Sequence, residues 1–252
     1  MFGYYFTKWM MTMEWQAKIQ YYYQKLLLLL GQCDLCGNST DKHPLLCSAC
    51  MEDLPRFKQD IIQDDLLNWP TISRALPNIT FDQLFCLSPY LSPFSHWLAE
   101  FKYHGRFELA DLFADLLIEQ WQASSLCQTR SQIDLVLSVP LHISKWQDRG
   151  YNQAHLIAKR FAKKLHLPYQ ASALKRIKKN SSQVGKSGAQ RRKSLANTFK
   201  LSQALAKNLR HVILIDDVVT TGSTASEITK LLKRSGIKRV TLVTVCLTLP
   251  KV

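Results

Sequence analysis

Residues 211–228 read HVILIDDVVTTGSTASEI, an apolar run that ends in Asp216 and Asp217 and passes through a Thr/Gly/Ser turn. An unbroken apolar run of this kind is what a strand of a parallel sheet shows when both its faces are covered. The segment after the turn, SEITKLLKRSG, has helical spacing and closes at Gly236. The order is therefore strand, acid pair, small hydroxyl loop, helix. A turn that opens a helix can wrap a phosphate with backbone N–H groups, assisted by the helix dipole. Thr220, Thr221, Ser223 and Thr224 add hydroxyl donors there, and Gly222 lets the backbone approach closely. Two adjacent carboxylates can accept hydrogen bonds from two neighbouring ribose hydroxyls. The stretch reads as a ribose-phosphate site.

The surrounding segments place this unit in an alternating α/β fold. FDQLFCLSPY and IDLVLSVP read as strands, the second ended by Pro140, and RVTLVTVCL as a third strand after the 211–228 unit. FELADLFADLLIEQWQ and NQAHLIAKRFAKKL read as helices, the latter with Asn152 as its cap. Alternation of this kind predicts a parallel sheet whose ligands bind beyond the carboxyl ends of the strands.

Two other phosphate chemistries are disfavoured by the same residues. QVGKSG offers Gly185, Lys186 and Ser187, but the first glycine of a phosphate-binding GxxxxGK[ST] loop falls on Asn180. No apolar strand leads into it. A phosphoacceptor receiver carries its acid pair early in the domain, whereas Asp216 and Asp217 come late.

Four of the seven cysteines lie in CDLCGNSTDKHPLLCSAC, where Cys33 and Cys36 form one CxxC pair and Cys47 and Cys50 another. Two such turns can offer four thiolates in a tetrahedron, which suits a closed structural zinc site. His43 is expected in the intervening loop, and Cys86, Cys127 and Cys246 read as small core residues. Paired thiols without a convincing secretory signal point to a metal site in a reducing cytoplasm. The first thirty residues are rich in aromatics and methionine, but Lys8, Glu14, Lys18 and Lys25 interrupt them. None of their apolar runs approaches the roughly 20 residues that span a bilayer, so no stable membrane insertion is expected. The chain of 252 residues carries a formal charge of +14, which favours polyanionic partners.

VILIDDVVTTGST resembles the phosphoribosyl pyrophosphate signature of type I phosphoribosyltransferases. Taken with CDLC…CSAC, LAEFKYHGRFELADLFADLL and SVPLHISKWQDRGYNQAHLIA, the chain resembles the ComF/GntX family from Cys33 to Leu247. The resemblance implies a parallel-sheet, Rossmann-like type I phosphoribosyltransferase-like domain with a small N-terminal zinc ribbon. The expected division is an extension at 1–30, helical in part, a ribbon at 31–60, a linker at 61–79 and the main domain at 80–252. The resemblance puts the ribose hydroxyls on Asp216 and Asp217, and the 5′-phosphate on Thr220, Thr221, Gly222, Ser223 and Thr224. It puts pyrophosphate on the loop Pro140–Gly150, where Lys145 and Arg149 supply charge.

Magnesium would arrive with phosphoribosyl pyrophosphate, held mainly by the ligand's own phosphates and waters. The stretch KRIKKNSSQVGKSGAQRRK, with Lys178, Lys179, Lys186, Arg191 and Arg192, is read either as a mobile phosphate loop or as a track for a nucleic-acid backbone. By resemblance, the protein is expected to serve natural competence and DNA uptake, binding a ribose phosphate and single-stranded DNA. The alternative is an active transferase moving a 5-phosphoribosyl group to a base or small acceptor. A third expectation is a regulatory module that contacts a helicase of the uptake machinery. No residue is singled out as a general base, and no base-reading pattern occurs in 81–105 or after Leu242.

Overall fold

The computed structural model describes residues 31–128, 130–177, 198–202, 205–206 and 208–249. The extension 1–30 lies outside them, as do Lys178, Lys179, Lys186, Arg191 and Arg192. The chain divides into two compact units, Met1–Leu54 and Pro55–Val252. Among the described residues of the first lies the short helix α1 (Ser48–Glu52).

In the second unit the elements run α2 (Gln59–Ile62), α3 (Pro70–Ala75), β1 (Gln83–Pro89), α4 (Phe94–Tyr103), α5 (Leu109–Gln122) and β2 (Leu135–Ser138). They continue with α6 (Ile143–Arg149), α7 (Gln153–Lys164), β3 (Leu174–Arg176), β4 (Phe199–Leu201), β5 (His211–Val219), α8 (Ser223–Arg234) and β6 (Arg239–Leu247). The main sheet has the order β1-β6-β5-β2, and every pairing in it is parallel. β3 and β4 form a separate antiparallel pair. The expected parallel α/β architecture is the one observed.

Both faces of the sheet are covered, which is why its strands read as unbroken apolar runs. On one face Leu84, Leu137, Val212, Leu214 and Leu242 join a single core with Ile228 and Leu232 of α8. On the other, Phe85 meets Trp121 of α5 edge-on at 5.1 Å, and Trp121 meets Phe161 of α7 at 5.7 Å. Each such fully buried apolar side chain contributes roughly 1.5–3 kcal/mol.

Three local expectations change. The strand carrying the acid pair does not stop at Ile215. It continues to Val219, because β6 supplies partners as far as Val219↔Leu247. Asp216 and Asp217 thus lie within the strand, and consecutive strand residues point to opposite faces.

The stretch 140–150, expected as a loop, contains the helix α6. The His142 ring nitrogen Nδ1 accepts the Ser144 N–H at 3.1 Å to start it, and Gly150 ends it in the left-handed region at φ 76°.

The stretch 61–79, expected as a linker, is helical and contributes Ile62, Leu66, Ile72 and Leu76 to the core. Asp65 fastens it: its Oδ1 accepts from Leu67 N at 2.9 Å and from Leu84 N at 3.0 Å. Such burial raises its carboxyl above the usual range, although the two N–H donors work the other way.

Candidate functional site

In the first unit the sulfurs of Cys33, Cys36, Cys47 and Cys50 all lie within 4.8 Å of one another. Local turns create this convergence. Gly37 N–H donates to Cys33 O at 2.8 Å, and Cys33 N–H to Asn38 O at 2.8 Å. Asp41 accepts from the Ser48 N–H at 2.9 Å and from the Ser48 hydroxyl, fixing the start of α1 beside the second pair. Burial raises the Cys33 thiol, but three backbone N–H groups outweigh it and bring it down to about 6. Cys36, Cys33 and Cys47 together push Cys50 up. Such mutual opposition is what a bound cation relieves. The four thiols could hold a metal such as zinc. His43 is not among the converging ligands; its Nδ1 accepts from Leu45 N at 3.1 Å within the loop.

In the second unit the acid pair is set by β5. Asp217 N–H donates to Asp216 Oδ1 at 2.9 Å, and Val218 N–H to Asp217 Oδ1 at 2.8 Å. A cation lies close to Asp217: Lys102, near the end of α4, places its Nζ 2.8 Å from Asp217 Oδ2. Burial and then the Asp217 charge push the Asp216 carboxyl well above its ordinary range. Burial acts on Asp217 in the same sense, but Lys102 and the hydrogen bond from Asp216 outweigh it and bring Asp217 down. The two carboxyls are thus pushed in opposite directions, Asp216 up and Asp217 down. Arg176 of β3 is drawn electrostatically to Asp216, partly offsetting the effect of its own burial, and its guanidinium lies 5.6 Å from the Phe199 ring centre.

Lys102 also lines a cleft of about 360 Å³ with Tyr103, Gly105, Lys145, Asp148, Arg149 and Tyr151. Lys145 and Arg149 reach it from successive turns of α6. Arg149 lies over the Tyr103 ring at 5.1 Å and donates to Gln153 Oε1 at 3.2 Å. Burial, then Arg149 and Arg176, lower the Lys145 ammonium, as expected where like charges crowd. Tyr151 donates to the Phe101 carbonyl and so holds α4 against the cleft wall. Asn152 caps α7 as expected, accepting from Ala154 N at 3.1 Å while its Nδ2 donates to Val139 O at 2.9 Å. This second bond ties the cap to the end of β2.

The Thr/Gly/Ser loop opens α8, with Gly222 as its N-cap at φ 65° and Thr221 Oγ1 2.9 Å from Ser223 Oγ. Thr220 is exposed, Thr221 and Thr224 are half-buried, and Ser223 is buried. The loop stays outside the cleft lining, which Lys145 and Arg149 share with Lys102.

Of the cations beside the acid pair, Lys102 had no role in the sequence reading, and Arg176 entered it only as part of the basic stretch KRIKKNSSQVGKSGAQRRK. The signal for Lys102 was FKYHGRF, a motif carried in the sequence without a function. Arg176 lies at the edge of the basic stretch, where nothing distinguishes it from its neighbours until β3 pairs with β4.

Comparison with known proteins agrees with this architecture. Residues 151–250 match the phosphoribosyl transferase domain family. Over 221 residues the chain is 29% identical to competence protein F of Haemophilus influenzae, spanning 86% of this chain and 85% of that protein. It is likewise 29% identical over 219 residues to DNA utilization protein YhgH of Escherichia coli strain K12, spanning 87% and 91%. A solved hypoxanthine phosphoribosyltransferase from Staphylococcus aureus aligns at 18% identity and a TM-score of 0.32, over 55% of this chain and 62% of that one. With the domain match and the parallel sheet together, the fold is phosphoribosyltransferase-like, and the cysteine cluster fits a zinc ribbon.

Proposed function

We propose that this chain, a homologue of competence protein F and DNA utilization protein YhgH with a phosphoribosyl transferase domain, binds phosphoribosyl pyrophosphate or a related ribose phosphate and single-stranded DNA in the cytoplasm. The observation that carries the ligand reading is the acid pair Asp216–Asp217 joined through Lys102 to a cleft bearing Lys145 and Arg149. Carboxylates accept hydrogen bonds from a ribose diol. The cationic cleft beside them suits a pyrophosphate group. The helix N-terminus behind Thr220–Thr224 suits the 5′-phosphate.

Zinc on the four cysteines would serve structure alone, since four thiolates leave no open position. Magnesium would neutralise pyrophosphate charge on the ligand. Among the described residues, only the four cysteines form a group of three or more converging metal ligands, so the acid pair provides no full cage for a divalent ion. Seven free thiols suit a reducing compartment, and among the described residues no helix is long and apolar enough to cross a membrane.

Isothermal calorimetry with phosphoribosyl pyrophosphate tests the ligand. Binding that weakens at least about tenfold in Asp217→Asn is expected, equivalent to about 1.4 kcal/mol. Silence of the wild-type protein across ribose phosphates would sink the reading. The domain match also favours a second reading, transfer of the 5-phosphoribosyl group to an acceptor. Pyrophosphate release that depends on an added acceptor, and is lost in Asp217→Asn, would establish it.

A further inference from the structure

The mouth of the cleft carries aromatic rings that the fold leaves in water. Tyr103, at the end of α4, is 68% exposed; Phe107, in the turn before α5, and Trp146 of α6 are each 50% exposed. Rings of this size are ordinarily drawn into a core, so a group of them at one mouth marks a surface kept for contact. Each stands beside a cation or another ring. The Arg149 guanidinium lies 5.1 Å from the Tyr103 ring centre, and the ring centres of Phe107 and Tyr151 are 4.5 Å apart. Trp146 precedes Arg149 by one helical turn and so shares its side of α6. Since α6 buries no side chain, packing does not account for an indole there. Lys145 and Arg149 line the cleft and form no ion pair among the described residues; Arg149 donates instead to the neutral Gln153 side chain. Exposed rings interleaved with unpaired cations are what a single nucleic-acid strand needs, ring faces for its bases and charge for its backbone. A mononucleotide has one base to stack, fewer than this rim accepts. In a duplex the bases already stack on one another and are closed to side-chain rings.

We propose that single-stranded DNA runs along this rim, its bases stacked on Tyr103, Phe107 and Trp146 and a backbone phosphate seated between Lys145 and Arg149, so that the strand and the ribose-phosphate ligand exclude each other. This rests on the two ligand readings proposed above and gives them one shared site. Within the cleft of about 360 Å³, Lys102 is committed to Asp217, which leaves Lys145 and Arg149 as the cations open to a phosphate. A DNA phosphate and a pyrophosphate group therefore compete for the same two side chains, whichever ion accompanies the pyrophosphate. Exposed charge also occurs at the far end of the sheet, where Arg234 ends α8 and Lys238 precedes β6. Residues 223–247 hold no aromatic side chain, so that end offers charge without a stacking face.

Fluorescence anisotropy of a labelled oligothymidylate titrated with the full chain at moderate salt tests this. Trp146→Leu, which keeps an apolar side chain but loses the ring, should weaken binding by about fivefold or more, and Trp146→Phe should stay within about twofold of wild type. Trp146 is exposed, so both variants should unfold at the wild-type urea midpoint. The double variant Arg234→Gln, Lys238→Gln, which removes charge at the far end of the sheet, should also stay within about twofold. Phosphoribosyl pyrophosphate with magnesium, at a concentration that calorimetry shows to saturate the protein, should displace the oligonucleotide. Undiminished binding by Trp146→Leu, equal losses in Trp146→Leu and Trp146→Phe, or a comparable loss in the double variant each overturn the proposal. Oligonucleotide binding that persists under saturating phosphoribosyl pyrophosphate overturns the shared site while leaving both ligand readings intact. A wild type that binds the oligonucleotide but no phosphoribosyl pyrophosphate refutes the ribose-phosphate reading and the exclusion with it; one that binds no oligonucleotide refutes the rim. Anionic phospholipid vesicles that bind wild type and not Trp146→Leu, with oligonucleotide binding equal in both, would assign the rim to a membrane surface and overturn it.

Discussion

Asp216 and Asp217 are neighbours with opposite electrostatic fates. Asp217 has its carboxyl held low by Lys102 against the effect of burial. Its contribution to stability is therefore present above the unfolded carboxyl pKa of about 3.9 and is lost as pH falls through the folded value. Asp216 has its carboxyl raised by burial and by Asp217, so its contribution is full below about 3.9 and is lost as pH rises through the folded value. The two amide variants should accordingly behave oppositely. Asp216→Asn keeps the acceptor for the Asp217 N–H and removes a desolvated charge. It should be about neutral near pH 4 and more stable than wild type by about 1 kcal/mol or more near pH 7. Asp217→Asn strands Lys102 in a largely buried position and should lose about 1–3 kcal/mol, less than a fully buried pair would cost because water still reaches it. Urea unfolding at the two pH values distinguishes them; parallel losses would contradict this account of the pair. The acid pair and its place at the end of an apolar strand were legible in the sequence. Its partner Lys102 was not, since nothing in FKYHGRF says that α4 ends against β5.

At the scale of elements, the junction of β5 with α8 depends on Gly222. Its φ of +65° is one that side-chain-bearing residues rarely adopt, and an added Cβ would lie 3.1 Å from Ile79 Cγ2 and 3.3 Å from Phe81 Cε1. Gly222→Ala should destabilise the fold by about 1–3 kcal/mol, measurable by thermal or urea unfolding, and should weaken ligand binding as well. A stability change within a few tenths of a kcal/mol would show that the turn relaxes freely. The long helices and strands were visible from apolar periodicity, because each is long enough to repeat its pattern against a covered face. α6 was not, because seven residues with no buried side chain display no periodic face. Its helical state comes from His142 at one end and Gly150 at the other, and it is what brings Lys145 and Arg149 to one cleft. Likewise 61–79 looked like a linker, since its short helices carry few apolar residues each. Docking against β1 and the core makes them part of the unit.

On the scale of the whole molecule, a formal charge of +14 should give any complex with single-stranded DNA a strong salt dependence. The logarithm of the association constant for an oligonucleotide should fall linearly with the logarithm of salt, by about 0.7 for each phosphate neutralised. Fluorescence anisotropy over a salt series would measure it, and a flat series would rule out backbone neutralisation as the basis of binding. The sequence by itself determined the parallel α/β class, the cysteine spacing that closes a four-thiol cluster, and the acid pair with its hydroxyl turn. Each of these is written in a local pattern: an apolar period, a CxxC repeat, a strand followed by a loop and a helix. Only the tertiary structure decided which cations meet those acids. Lys102 and Arg176 lie far from Asp216 and Asp217 along the chain, on separate elements packed around β5. Local pattern carries no information about such contacts, because long-range packing sets them.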